Sequence, residues 1–565
     1  MDEQRLMEYR KSVLDILSQP GGTMVKLDAI LDSPESTAMI QALTPSEFFF
    51  LIRDIGPDDA GSLMMLASDE QLGRSADFFL WAGRDLAVER LDRWLRLAQE
   101  AGDEVLNKVV SAMDPELLVL QLLKLARIVE YLDDPEQMDM LGAEQGVLRS
   151  PDGCFHLICG DNEDATVQCR NLLEILYTFD HEKARLLLKA AVWELPASLE
   201  EEALRIRDGR LEDLGFPAYE EAQEVFELYS PADAIRELET RAGKSFDGRL
   251  PETLDAVLAL TALDGRHESL LAATLRALPE PTRETLRQAT VFLMNRILVV
   301  ESKGDLSNAP ELAFAASRAQ DLMNLGLEML ALKFKQDAAR VLAGLHPVLL
   351  FRTGYSALLG LRSQAGKLRS KASLGGRFGL LDDPPLGPAL AGLARFVPQV
   401  FEGIKGEADL VYRDFRTLAD LDAMKKYLAH AEQRLAFLFD TLRIDPAKLR
   451  VMVPEKQQPF VTASTLAATA LANLMIGREG VDPLGPPELQ NLLDLLLPWD
   501  DAEAARKPDA FLVGRMEQAL AGQPTEIQEL IRYSVAKLVK TLGHLPEGQA
   551  IETKYLGSAL LFVGE

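Results

Sequence analysis

The sequence predicts an all-α protein, a multi-helical bundle of α-solenoid character interrupted by one small β-hairpin near residues 146–160. Three observations lead there. Helix-start tetrads recur at short intervals, apolar residues elsewhere follow a spacing of three and four, and one short window breaks both patterns with β-prone runs around a turn.

The tetrads are Thr44-Pro45-Ser46-Glu47, Gly56-Pro57-Asp58-Asp59 and Ser68-Asp69-Glu70-Gln71, 12 residues apart. Each places Ser, Thr or Gly at an N-cap, Pro or a substitute at the first helical position, and acids where the helix dipole favours them. The stretches between them, FFFLIRDI and AGSLMMLA, are too short to bury a face alone and must stack on one another. The same start signal returns at Asp114-Pro115-Glu116 and at Ser230-Pro231-Ala232-Asp233. This Pro-acid-acid repeat resembles the intracellular superhelical domain of MgtE-type magnesium transporters and the related fold of the flagellar switch protein FliG. The likeness extends at most over residues 40–140, about a fifth of the chain. It implies a stack of short helices of the kind used for regulation and assembly. The transporter's membrane helices have no counterpart, so transport is not implied. Over its full length the chain resembles an uncharacterised bacterial family of helical proteins, which implies no activity.

The β-prone window is GVLRSPDGCFHLICG, in which Ser150-Pro151-Asp152-Gly153 has turn composition. Helices resume through NLLEILYTF and again after Ser198, whose spacing to Glu201 matches a capping box. Gly, Asp and Pro cluster at residues 243–251, before a Leu/Ala-rich second half. From Glu407 to Asp445 neither Gly nor Pro intervenes, and Leu421, Met424, Leu428, Ala431, Leu435, Leu438 and Leu442 alternate three and four apart. That spacing predicts one long helix over 407–445. It packs inside its own bundle or, as the second reading, pairs with another copy of the chain. Four blocks follow: 1–145, the short-helix repeat; 146–245, the hairpin and its helices; 246–382, a helical block with a basic Gly-rich segment; and 383–565, a C-terminal bundle.

Bulk properties narrow the function classes. The chain has 565 residues, 47% of them hydrophobic, and a formal charge of −28 that repels phosphate backbones and anionic lipid. Nucleic acid is not expected as a partner. The N-terminal stretch carries charge throughout, unlike a secretory signal, and no apolar run reaches the ~20 residues a bilayer span requires. Three cysteines fit a reducing compartment. A cytoplasmic protein without membrane insertion is expected, with other proteins as its partners and no cofactor.

Two clusters could carry chemistry. Cys154, His156, Cys159 and Cys169 fall in one short window, which invites a metal or redox reading. Alternation along a strand would set Cys154 and His156 on one side and Cys159 on the other, and no C-x2-C knuckle is present, so small buried residues are the simpler account. The other histidines are scattered, and paired carboxylates such as Asp58-Asp59 sit at helix starts, where they serve the dipole.

The second cluster is residues 338–381, without a single Asp or Glu, although acids make up 88 of the 565 residues. It carries Arg340, Arg352, Arg362, Lys367, Arg369, Lys371 and Arg377, with seven glycines. Glycine lets backbone N–H groups approach an anion, and adjacent cations supply charge. The nearest approach to a P-loop, GLRSQAGKL, has five residues between its glycines and ends in Leu where Ser or Thr should bind magnesium, so the motif fails. Arg352, Arg362, Lys367, Arg369, Lys371 and Arg377 are therefore candidates for an anionic ligand or partner, against the plainer reading that they pair with the chain's own acids. Three functions result: an interaction or regulatory module, favoured over catalysis; a ligand-binding protein or enzyme using 338–381 for a phosphate-bearing ligand; and a metal or redox sensor at Cys154–Cys169.

Overall fold

The computed structural model describes residues 3–18, 23–56, 59–131, 146–241, 269–308, 310, 312–406, 409–500, 505–506, 514, 522–543 and 558–563. The chain is predominantly helical, with a few short antiparallel strand pairs. No described helix is long and apolar enough to cross a membrane. The chain divides into two compact units: Met1–Glu227 with Ala234–Gln320 and Asp337–Leu350, and Leu228–Asp233 with Asp321–Gln336 and Phe351–Glu565. This partition cuts across the four blocks read from composition and falls inside helices Pro231–Thr240, Leu312–Glu328 and Pro347–Ala372.

In the first unit the predicted caps do more than start helices. The Thr44 hydroxyl accepts from the Glu47 backbone N–H at 3.3 Å while the Glu47 carboxylate accepts from the Thr44 N–H at 2.8 Å, a reciprocal box at the start of helix Pro45–Ile55. Arg10 reaches the same carboxylate at 2.7 Å and ties helix Glu3–Ser18 to it. Ser68 and Gln71 form the next box, and the Gln71 amide also donates to the Ile40 and Leu43 carbonyls at 2.7 and 2.8 Å. One side chain thus caps helix Asp69–Phe79 and closes the C-terminal end of helix Ser36–Gln41.

Two expected starts are displaced. The middle helix of the repeat runs Gly61–Leu66, with Ala60 at its N-cap, because Gly56 adopts φ 105° and terminates the preceding helix. Pro57 and Asp58 lie outside the described residues. Helix Pro196–Asp213 begins two residues before Ser198, since Pro196 takes the first helical position and leaves Ser198 inside the first turn.

The hairpin forms as expected. Val147–Arg149 pairs antiparallel with Phe155–Ile158, and the Ser150 hydroxyl accepts from the Phe155 N–H at 3.0 Å across the turn. A third strand, Arg127–Glu130, was not expected; it pairs along the other edge of Phe155–Ile158 and joins the two sides of the 145/146 boundary in one sheet. Phe49 stacks on Phe78 at 4.8 Å and Phe78 meets Phe216 edge-on at 5.2 Å in the apolar interior.

The second unit is built on longer helices. Ala463–Met475 is almost entirely buried, and Leu418–Ala436 and Thr525–Gly543 both pack within the unit. The single helix expected over 407–445 is corrected: Asp409–Asp414 is a strand paired with Gln399–Lys405, and the helix starts at Leu418 behind a Thr417/Asp420 capping box. Absence of Gly and Pro permits a helix, but Val411 and Tyr412 are β-branched and aromatic residues that favour a strand, and the segment finds a partner strand, which decides the matter. At the other end the helix widens into a π-turn over Phe437–Thr441 and stops before Arg443, whose φ is 50°. The heptad residues Leu421, Met424, Leu428, Ala431, Leu435 and Leu438 are all buried inside the unit, so the seam packs within its own bundle.

Candidate functional site

The basic Gly-rich segment folds mostly into helices Ala338–Gly344 and Pro347–Ala372, not into an anion-cradling loop. Gly344 and Gly354 there serve packing, whereas Gly360 and Gly366 face open space. A Cβ at Gly354 would strike the Leu322 carbonyl of helix Leu312–Glu328, so this glycine is what lets two helix backbones meet. Only Gly375 and Gly376, at φ 85° and 79°, take the left-handed conformation, in the turn after Ala372.

The candidate cations do not converge. In the first unit, Arg340 donates to the Leu238 carbonyl at 3.3 Å. In the second, Arg352 donates to the Leu228 carbonyl at 3.3 Å and lies over the Tyr229 ring. Arg362 lies over the Phe396 ring, 5.5 Å from its centre, and its charge opposes the burial that raises the Tyr355 phenol's pKa. Lys367, Arg369 and Lys371 are exposed and have no carboxylate of the described residues within ion-pair distance, while exposed Arg377 meets exposed Glu455 at 3.4 Å.

Cys154 and Cys159 flank the strand Phe155–Ile158, His156 is buried within it, and Cys169 is buried in helix Glu163–Phe179. Burial, and the neighbouring Cys159, push the Cys169 thiol's pKa far up, so it stays protonated and unreactive. Among the described residues no three His, Cys, Asp or Glu side chains gather as metal ligands.

Three assemblies, two polar and one apolar, are not visible in the sequence. In the first unit, Arg210 donates to the Asp77 and Asp114 carboxylates, each at 2.8 Å. Asp114, read as a cap for helix Pro115–Leu125, makes no side-chain cap; its carboxylate is taken by Arg210 instead. Burial raises the Asp77 pKa and Arg210 opposes that shift. Three residues earlier, buried Arg207 donates to the Asp77 carbonyl at 3.0 Å and to the Asp208 carboxylate at 3.0 Å, with the Trp81 ring beneath it. A cleft of about 110 Å³ opens beside it, where Arg84 faces Glu220 at 3.7 Å. Its buried cation is already occupied by the fold, which leaves the cleft poorly equipped to hold an anion.

The second unit has a buried Asp383. It accepts from the Ser464 N–H at 2.8 Å and from the Ser464 hydroxyl at 2.6 Å, and Lys537 approaches that hydroxyl at 3.2 Å. Burial lowers the Lys537 pKa and Asp383 opposes the shift. A serine beside a lysine is the pairing of a nucleophile with its base. Here, however, the hydroxyl is buried and donates to Asp383, so the trio fixes the start of helix Ala463–Met475. Arg434 and Glu526 form a second buried pair at 2.6 Å.

The third assembly is apolar. Helix His181–Trp193 buries Ala184, Leu187, Leu188 and Ala191, while its outer face exposes Leu186 and Trp193, seven residues apart on one stripe. Trp193 is 67% exposed and Leu195, just beyond the helix, 72%. A signal was present in sequence, since Trp193-Glu194-Leu195-Pro196 puts large apolar residues at a helix junction, but exposure cannot be read from sequence.

A model of DUF6178, a family of unknown function, matches residues 3–561. The chain belongs to that family. The DUF6178 match runs through both units, so the polar assemblies and the exposed patch all lie within the family's own span. No curated protein and no solved structure matches the chain.

Proposed function

We propose that the protein is a cytoplasmic interaction module that docks another protein through the first unit. The observation that carries this reading is the Leu186, Trp193 and Leu195 patch. Exposed tryptophan is the side chain most enriched at binding hot spots, and adjoining exposed aliphatics extend the area a partner can cover. The occupant is a partner protein with an apolar surface, its rim bearing acids that answer exposed Arg185 and Lys189 on the same helix. The stacked, cross-capped short helices support the reading, and the resemblance of their Pro-acid-acid sequence repeat to that of the MgtE-type and FliG-like superhelix motivates it. Such a role requires no cofactor and no reaction.

The test is affinity purification from the native host with mass spectrometry, comparing the intact chain with the Trp193→Ala/Leu195→Ala variant. A reproducible partner set that disappears from the variant, with an unchanged melting temperature, is the expected result. Identical partner sets would remove the patch from consideration.

A further inference from the structure

The end of the basic segment meets a stretch distant in sequence. Arg450 donates to the Leu374 carbonyl at 2.9 Å, Arg377 meets Glu455 at 3.4 Å, and the backbone at Gly379 lies against the Pro459 carbonyl. Residues 367–381 and 446–461 thereby form one surface of the second unit. Together they contain Lys367, Arg369, Lys371, Arg377, Lys448, Arg450 and Lys456 against a single acid, Glu455. All seven cations are exposed, and Lys448 also pairs with Asp482 at 2.8 Å. Within the same surface Val451 is 87% exposed and Phe460 67%.

We infer that this surface docks an acidic peptide segment of a partner protein, anchored by apolar side chains on Val451 and Phe460. Charge complementarity selects the partner's sign, and the two exposed apolar side chains select a peptide over a bare polyanion. A chain of −28 repels a long polyanion over its whole length, whereas a short acidic segment stays within the Debye length of about 8–10 Å from the local cations. The cations spread over an open surface, so no enclosed phosphate site is implied. The inference rests on the interaction-module reading but uses the other unit and other residues.

The test is fluorescence anisotropy of the full chain with three labelled probes. One is a synthetic peptide alternating Glu and Asp with Leu and Phe, the second an all-acidic peptide of equal charge, and the third single-stranded oligo-dT. The mixed peptide is expected to bind best and to weaken as salt rises. Lys371→Glu/Arg377→Glu/Lys456→Glu leaves Arg450 and its backbone contact intact, and reversing these charges weakens the mixed peptide by about tenfold or more. Val451→Ser/Phe460→Ser reduces its advantage over the all-acidic peptide. Undiminished binding after charge reversal overturns the inference, and tighter binding of oligo-dT replaces it with a polyanion surface. If no peptide binds while Trp193→Ala/Leu195→Ala still loses its partners, the docking surface fails and the module reading stands. If the peptide binds as described and the Trp193 variant keeps every partner, the reverse holds.

Discussion

Arg207 and Arg210 lie on one helix and are held almost wholly by their own unit, whereas Lys367, Arg369 and Lys371, also on one helix, meet no carboxylate among the described residues. The first pair answers buried acids and carbonyls, so its charge is part of the fold. The second set stands in water with its charge uncompensated. In a chain with 28 more acidic than basic residues, exposed cations left without acids are the less expected arrangement. That contrast points binding chemistry to the second set and stability to the first.

The comparison can be broken most severely at Arg210. Arg210→Ala leaves buried Asp77 without its charge partner and should cost about 3–5 kcal/mol, measured by chemical denaturation. Asp77→Asn with Arg210→Met, which removes both charges, should cost much less. Gly354→Ala should destabilise by about 3 kcal/mol, because the new methyl meets a backbone carbonyl that cannot turn aside. A neutral result would mean that the glycines of 338–381 are free for another role.

His346 sharpens the first unit's side of the contrast. Burial and the charges of Arg296 and Arg241 lower its pKa to about 4, and its Nδ1 accepts from the Val348 N–H at 3.2 Å, so the folded state holds it neutral. Its folded pKa lies below the unfolded one, so the unfolded chain binds the extra proton first as the solution is acidified. The contribution is complete above about pH 6.5 and falls by about 2 kcal/mol on reaching about pH 5. His346→Asn keeps a helix-starting side chain and should show a shallower loss over that window in parallel melts. The smallest effect belongs to Lys367→Glu/Arg369→Glu/Lys371→Glu, which should change stability by no more than about 0.5 kcal/mol. A larger loss would show that these lysines and arginine are held by the fold after all.

What the sequence made legible was local. The Thr44 and Ser68 helix starts and the Ser150 turn depend on residues three to five positions apart and form as the sequence predicts, whereas the capping box expected at Ser198 gives way to a start at Pro196. The strand Asp409–Asp414 was missed because its stability comes from Gln399–Lys405 across the ladder, not from its own neighbours. Arg210 lies 133 residues from Asp77 and 96 from Asp114, and Arg450 lies 76 from Leu374, so these meetings follow from tertiary packing alone. The basic segment stands out in the sequence as acid-free, but its companion over 446–461 does not, because one glutamate and three prolines give it an ordinary composition.

Gln71 has a dynamic consequence. Its amide holds the carbonyls of Ile40 and Leu43 while its backbone and carboxamide oxygen serve the Ser68 cap. Fraying of helix Ser36–Gln41 therefore releases the start of helix Asp69–Phe79 as well, and neither end opens alone. In hydrogen exchange the amides of both ends would report one shared opening free energy, so the repeat behaves there as a single cooperative element.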